Sequence, residues 1–238
     1  MTARSGALRF TGNFKGAVDD YADWIGIDRD RTTTIPNAID PAMFADVAPN
    51  ARAALRAEID APSDAPLVLG VFRLSAEKGP FDFIEVARHV IDTVPAARFV
   101  IAGVGAMRPV LQERISKLDL GGNVRLLGRR DDVPNLLAGA DVMLLTSHRE
   151  GMPNVVLEAQ TAGLPVVATR AGASPQIIDD GVTGHVCEIG DIDALAFHII
   201  ELLKNLELAR SMGQAAKARI GEENSKDKLA ERYIAALA

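Results

Sequence analysis

From Leu67 onward, short apolar runs alternate with longer amphipathic stretches. The runs are LVLGVFR (67–73), ARFVIAG (97–103), NVRLLG (123–128), DVMLLTS (141–147), PVVAT (165–169) and GHVCE (184–188). Between them, segments with helical spacing lie near 80–93, 107–119, 132–139, 153–163 and 175–179. A strand without polar alternation is buried on both faces, and strands alternating with helices at this spacing build a parallel sheet. The expected fold class is therefore α/β, a Rossmann-like doubly wound parallel sheet. Residues 191–237 read as helical, with a break around Gly221-Glu222-Glu223-Asn224.

The first 66 residues follow another pattern. GAVDDYADWIGI (16–27) suits a helix, RTTTIPNAID (31–40) a short strand running into a turn, and 51–60 a second helix. No second full set of strands is present. The expected division is a linker with residual elements over 1–61, a main domain over 62–225, and a terminal helix over 226–238.

Charge and cysteine content narrow the class. Net charge is −6 and the isoelectric point is near 5.3, whereas a nucleic-acid protein needs a basic face. Cys187 is the one cysteine and has no internal disulfide partner, which fits a reducing compartment such as the cytoplasm. No apolar run approaches the ~20 residues of a membrane-spanning helix. The opening stretch MTARSGALRFTGNFKG has no apolar signal core.

Doubly wound sheets bind ligands beyond the carboxyl ends of their strands, so the chemistry is sought in the loops that leave each strand. In RLSAEKGP (73–80), Arg73 ends a run, and Lys78 precedes Gly79-Pro80 at a helix start. Two cations beside a helix N-terminus suit a diphosphate; the competing reading is a solvated lysine and a structural arginine. AGVGAMR (102–108) has Arg108 where a dinucleotide fingerprint has its third glycine, so Gly103 and Gly105 are read as tight-turn residues. EGMPNVVLEAQTAGLPVVAT (150–169) sets Glu150 on a loop and Glu158 inside a helix that begins at about Pro153. A carboxylate can accept from two neighbouring hydroxyls, as a ribose or hexose presents them. The N–H groups of Gly151, Met152 and Asn154 can face phosphates. For either glutamate alone, a dipole-favoured or merely exposed side chain explains as much. Paired carboxylates also serve glycoside hydrolysis, but the nearby cations argue for an anionic ligand. DID (191–193) has a metal-binding look, yet Asp191 makes a good helix cap. His89, His148, His185 and His198 are scattered without metal-ligand spacing, and Cys187 reads as core.

Taken together, GVFRLSAEKGP, FVIAGVGAMRPVLQE and the stretch 123–191 resemble the C-terminal, donor-binding half of a retaining glycosyltransferase of the GT-B fold, family four. The likeness runs from about Leu67 to Leu203 and reaches upstream through IPNAID. It implies that Arg73 and Lys78 neutralise a donor diphosphate and that Glu150 faces the donor sugar. It further implies that Gly151, Met152, Pro153 and Asn154 supply contacts along the loop and that Glu158 holds the ribose hydroxyls. Base selection falls to backbone around Gly128 and Arg129. No cofactor or metal is implied. The implied partners are a UDP-, GDP- or ADP-sugar, a glycan or lipid-linked acceptor, and an N-terminal acceptor domain. The implied setting is cytoplasmic, peripheral at the inner membrane face when full length. Ala38, Ala173 and Gln176 depart from the family pattern. A non-catalytic nucleotide-binding module completed by another chain is the alternative reading.

Overall fold

A computed structural model describes residues 9–237; residues 1–8 of the linker segment and Ala238 lie outside the described residues. The chain opens with strand β1 (Phe10–Gly12), helix α1 (Lys15–Ile25) and strand β2 (Thr32–Thr34), with β1 and β2 paired in parallel. Helix α2 (Ala51–Glu58) follows. The main body then alternates β3 (Leu67–Val71), α3 (Pro80–Thr93), β4 (Arg98–Ala102), α4 (Arg108–Lys117), β5 (Val124–Gly128) and α5 (Val133–Gly139). It continues with β6 (Val142–Leu145), α6 (Asn154–Ala162), β7 (Val166–Thr169), α7 (Ser174–Ile177), β8 (Gly184–Cys187) and α8 (Ile192–Lys204). Helices α9 (Leu206–Glu223) and α10 (Lys226–Leu237) close the chain.

The six apolar runs become one sheet in the order β5-β4-β3-β6-β7-β8, every neighbouring pair parallel. Leu67, Val68 and Leu69 on β3 and Val142, Met143 and Leu144 on β6 are wholly inaccessible, which is why these central strands carry no polar alternation. Helices α3, α4 and α8 pack together, as do α2, α5, α6 and α9, so the sheet is covered on both faces. The shared core also takes in Ile39, Leu55 and Ile59 from the first 61 residues. The buried Arg56 of α2 binds the Ala65 and Gly139 carbonyls and Asp141, which also accepts from Arg52 and from the Leu67 N–H. No helix among the described residues is long and apolar enough to cross a membrane.

One local expectation is met to within a residue, and another needs correction. The helix expected from about Pro153 starts at Asn154, because Pro153 keeps an extended ψ of 105° and stands as the cap. Its carbonyl accepts from Val156, so Pro153 closes the first turn without entering it. The stretch 191–237, read with one break, has two. Asn205 interrupts it first, its side chain accepting from the Leu208 N–H at 3.1 Å to start α9, as asparagine does at caps. The later break, at Asn224, falls where the sequence pattern puts it.

Candidate functional site

Strands β3, β4 and β5 spread one way through the sheet and β6, β7 and β8 the other. The switch point therefore lies between β3 and β6, where a crevice opens at the carboxyl ends of the strands. The loop after β3 carries Arg73 and Lys78, and the loop after β6 carries Glu150. The topology thus brings together stretches that the sequence keeps far apart.

These two loops are clasped by their backbones. Gly79 adopts φ +60°, and any side chain there would run into the Thr146 carbonyl oxygen, so only glycine allows this approach. The Thr146 hydroxyl donates to the Gly79 carbonyl at 2.9 Å. His148 and Arg149 donate their backbone N–H groups to the Glu77 carbonyl. The His148 ring reaches Asp82 on α3 at 2.7 Å.

Across this clasp the Lys78 ammonium donates to both carboxylate oxygens of Glu150, at 2.7 and 2.8 Å. The Ser147 hydroxyl donates to Oε1 at 2.7 Å. Glu150 has only 7% of its side chain exposed, and a buried carboxylate needs such partners to remain charged. Arg73 is exposed, and its guanidinium holds no ion pair among the described residues. Glu158 lies one turn along α6 from Asn154, on the same face. Burial pushes its carboxyl pKa above the usual glutamate range, with no cation opposing the shift.

Arg73, Lys78, Glu150, Met152, Pro153 and Asn154 line one cavity of about 350 Å³. A second, of about 260 Å³, is lined by Gly103, Val104 and Arg129, and shares Val71, Phe72 and Arg73 with the first. The two lie side by side in one cleft region, with Arg73 lining both. Gly128, Gly151 and Glu158 stand beside this cleft without lining either part. Arg130, also at its wall, is bound to Asp132 and Glu58 and anchors α2.

Three asparagines assigned no part in the site from sequence, Asn13, Asn37 and Asn224, join Asn154 in holding the loop in place. Asn37 donates from its side chain to the Met152 carbonyl and to Asn154 Oδ1, and from its backbone to the Met152 sulfur. Asn13 donates to Asn37 Oδ1, and the Asn224 side chain donates to the Asn37 carbonyl. The signal lies in IPNAID, where Asn37 stands immediately before Ala38, the residue that departs from the family pattern. Behind the loop, Gly172 at φ +56° leaves no room for a side chain against the Glu150 and Gly151 carbonyls, and Ala173 donates to the Gly151 carbonyl. Asp191 caps α8 as expected. Cys187 is buried, its thiol pushed up to about 11 by burial and nearby carboxylates.

A six-stranded parallel sheet with polar loops gathered at its switch point is the Rossmann-like architecture of GT-B glycosyltransferases. The chain belongs to the family described as Glycosyl transferases group 1, whose model matches residues 51–219. It is 34% identical over 152 residues to the N-acetyl-alpha-D-glucosaminyl L-malate synthase of Bacillus anthracis, covering 64% of this chain and 40% of that one. It is 31% identical over 207 residues to a GDP-mannose-dependent monoacylated alpha-(1-6)-phosphatidylinositol monomannoside mannosyltransferase of Corynebacterium glutamicum, covering 83% and 54%. The chain thus spans about half the length of these relatives or less. In fold it is similar to Anabaena Alr3699/HepE, solved in complex with UDP, with a TM-score of 0.87 at 23% identity, covering 96% of this chain and 63% of that one.

Proposed function

We propose that this chain is the donor-binding half of a retaining glycosyltransferase that takes a nucleoside-diphosphate sugar as donor. The observation that carries the reading is the Lys78–Glu150–Ser147 cluster at the switch point, with Arg73 exposed beside it. Arg73 and Lys78 supply positive charge for a diphosphate, Arg as a fork of donors and Lys as a point charge. As the leaving diphosphate gains charge, these cations and the N-terminus of α6 stabilise it without a metal. Glu150 meets the donor sugar and Glu158 the ribose hydroxyls. Gly128 and Arg129 border the part of the cleft that takes the base.

Residues 62–225 form the donor domain, joined in its core by α2 and Ile39; β1, α1 and β2 are the last elements of an acceptor domain, and 226–238 is the helix that crosses back toward it. The acceptor is a glycan or a lipid-linked glycan, and the enzyme works in the cytoplasm, peripheral to the inner membrane face. The mannosyl donor in the name of the Corynebacterium relative and the UDP bound to HepE support a nucleotide-sugar donor and leave its base to experiment. The exposed Tyr21 and Trp24 of α1 support a second reading, a nucleotide-binding module completed by a separate chain. Transfer or slow donor hydrolysis separates the two.

Calorimetric titration of UDP, GDP and ADP into this chain and into Glu158→Ala tests the donor site. One nucleotide should bind, and the variant should weaken it about tenfold or more, near 1.4 kcal/mol. Folded protein that binds none of the three, or a variant that binds as tightly, would refute the assignment.

A further inference from the structure

At the edge of the sheet, β8 and α8 bring together two histidines that look unrelated in sequence. His185 on β8 stacks on His198 of α8, ring centroids 3.8 Å apart and planes 12° from parallel. The expectation of scattered histidines is thereby corrected for this pair. Their proximity comes from the strand-to-helix return, which no local spacing encodes.

Glu201 stands one helical turn beyond His198 and joins the pair. Its Oε2 lies 3.5 Å from His198 Nδ1 and 3.8 Å from His185 Nε2. Both of those ring nitrogens are shut off from solvent and have no hydrogen-bond partner among the described residues. Buried polar atoms are rarely left this way, and two of them converge on one carboxylate oxygen. In a tetrahedral ion site with bonds of ~2.0–2.2 Å, ligand atoms stand about 3.4 Å apart. Ligand atoms of all three residues lie within 4.8 Å of one another.

We propose that His185, His198 and Glu201 form a binding site for a divalent cation of the zinc class, with a water completing the coordination. Two imidazoles and one carboxylate suit Zn²⁺, Co²⁺ or Ni²⁺, whereas Mg²⁺ and Ca²⁺ favour all-oxygen sets. Burial, reinforced by the neighbouring His198, holds the His185 pKa below the usual histidine value, which favours the neutral ring that ligates. Asp180 Oδ1 lies 3.6 Å from the other His185 nitrogen, Nδ1, placed to orient the ring as carboxylates do behind metal-bound histidines. Stacked rings point their lone pairs side by side, so a shared ion requires one ring to tip. The χ2 torsion of histidine is broad, and the His198 side chain is partly exposed. The site stands two strands beyond β6, away from the donor cleft, and would pin the edge strand to α8. A structural ion there leaves the proposed transfer metal-independent.

The test uses the full chain, free of any affinity tag and stripped of metal, titrated with Zn²⁺ by calorimetry and with Co²⁺ by visible absorption. One equivalent should bind, Co²⁺ should show tetrahedral d–d bands, and Zn²⁺ should raise the melting temperature by mass action. His198→Ala and Glu201→Gln should each weaken binding about tenfold or more. Circular dichroism and melting confirm that each variant is folded, and Glu201→Gln, which keeps size and shape, decides the matter even if His198→Ala loses its fold. No saturable binding by the folded chain, or binding equally tight in Glu201→Gln, overturns the proposal.

Discussion

Glu158 and Glu150 are both glutamates beside one cleft, and their surroundings differ in a way that matters. Glu150 has Lys78 and Ser147 to satisfy it, while burial alone acts on Glu158 and raises its pKa. A carboxyl whose folded pKa exceeds its unfolded value holds its proton more tightly in the native state. That group makes the native state less stable when ionised. Stability is therefore regained as pH falls through the folded pKa, and the gain is complete below the ordinary glutamate value. Glu158→Gln should accordingly melt higher than the parent near pH 7, with the gap narrowing toward pH ~4, while nucleotide binding falls. Melting curves across this range, with one binding isotherm, would check it. A Gln variant less stable at neutral pH would mean that Glu158 makes a stabilising contact. An uncompensated charge kept at a loss in stability is the usual mark of a residue retained for binding.

At the scale of elements, the loop that carries Glu150 rests on its neighbours more than on itself. Gly172, at φ +56°, backs directly onto the Glu150 and Gly151 carbonyls. Gly172→Ala should therefore cost about 1–3 kcal/mol in strain and push the loop out of register. Denaturant unfolding should show the loss, and nucleotide affinity should fall with it; unchanged affinity would show that the loop tolerates the shift. The strands and main helices were legible because burial on both faces leaves an unbroken apolar run, as in LVLGV or VMLL. Glu150, Lys78 and Arg73 were legible because they sit in loops that follow such runs. Asn205 was not, since a single cap inside a helical pattern leaves the apolar period intact. Nor were Asn13, Asn37, Ser147 and the His185–His198 pair, because each acquires its partner through the topology.

Across the whole molecule, the exposed apolar side chains concentrate in part on the first and last elements. Phe10 stacks on Tyr21, Tyr21 meets Trp24 edge-on, and Trp24 is 76% exposed. Tyr233 and Ile234 of α10 are exposed as well, and Arg9 beside β1 binds the Ala236 carbonyl. The two ends of the described chain thus meet, and the asparagine network does the same deeper inside. Asn13, Asn37 and Asn224 converge on the loop that contains Met152 and Asn154.

That convergence separates what is homologous from what is self-sufficient. The stretch that matches the family model, 51–219, keeps the sheet, Lys78, Glu150 and Glu158 but leaves out three of those four asparagines. A piece cut at those limits should retain slow hydrogen exchange in β3, β4 and β6 yet exchange quickly at the Val156 and Ala173 amides, which donate to the Pro153 and Gly151 carbonyls of the loop. Asn37→Ala in the full chain should reproduce the second effect by itself. Equal protection in all three proteins would show that the loop stands without its tethers. Otherwise, the smallest unit that holds the proposed donor site in place is larger than the unit inherited as a family, and its outer segments act as a splint.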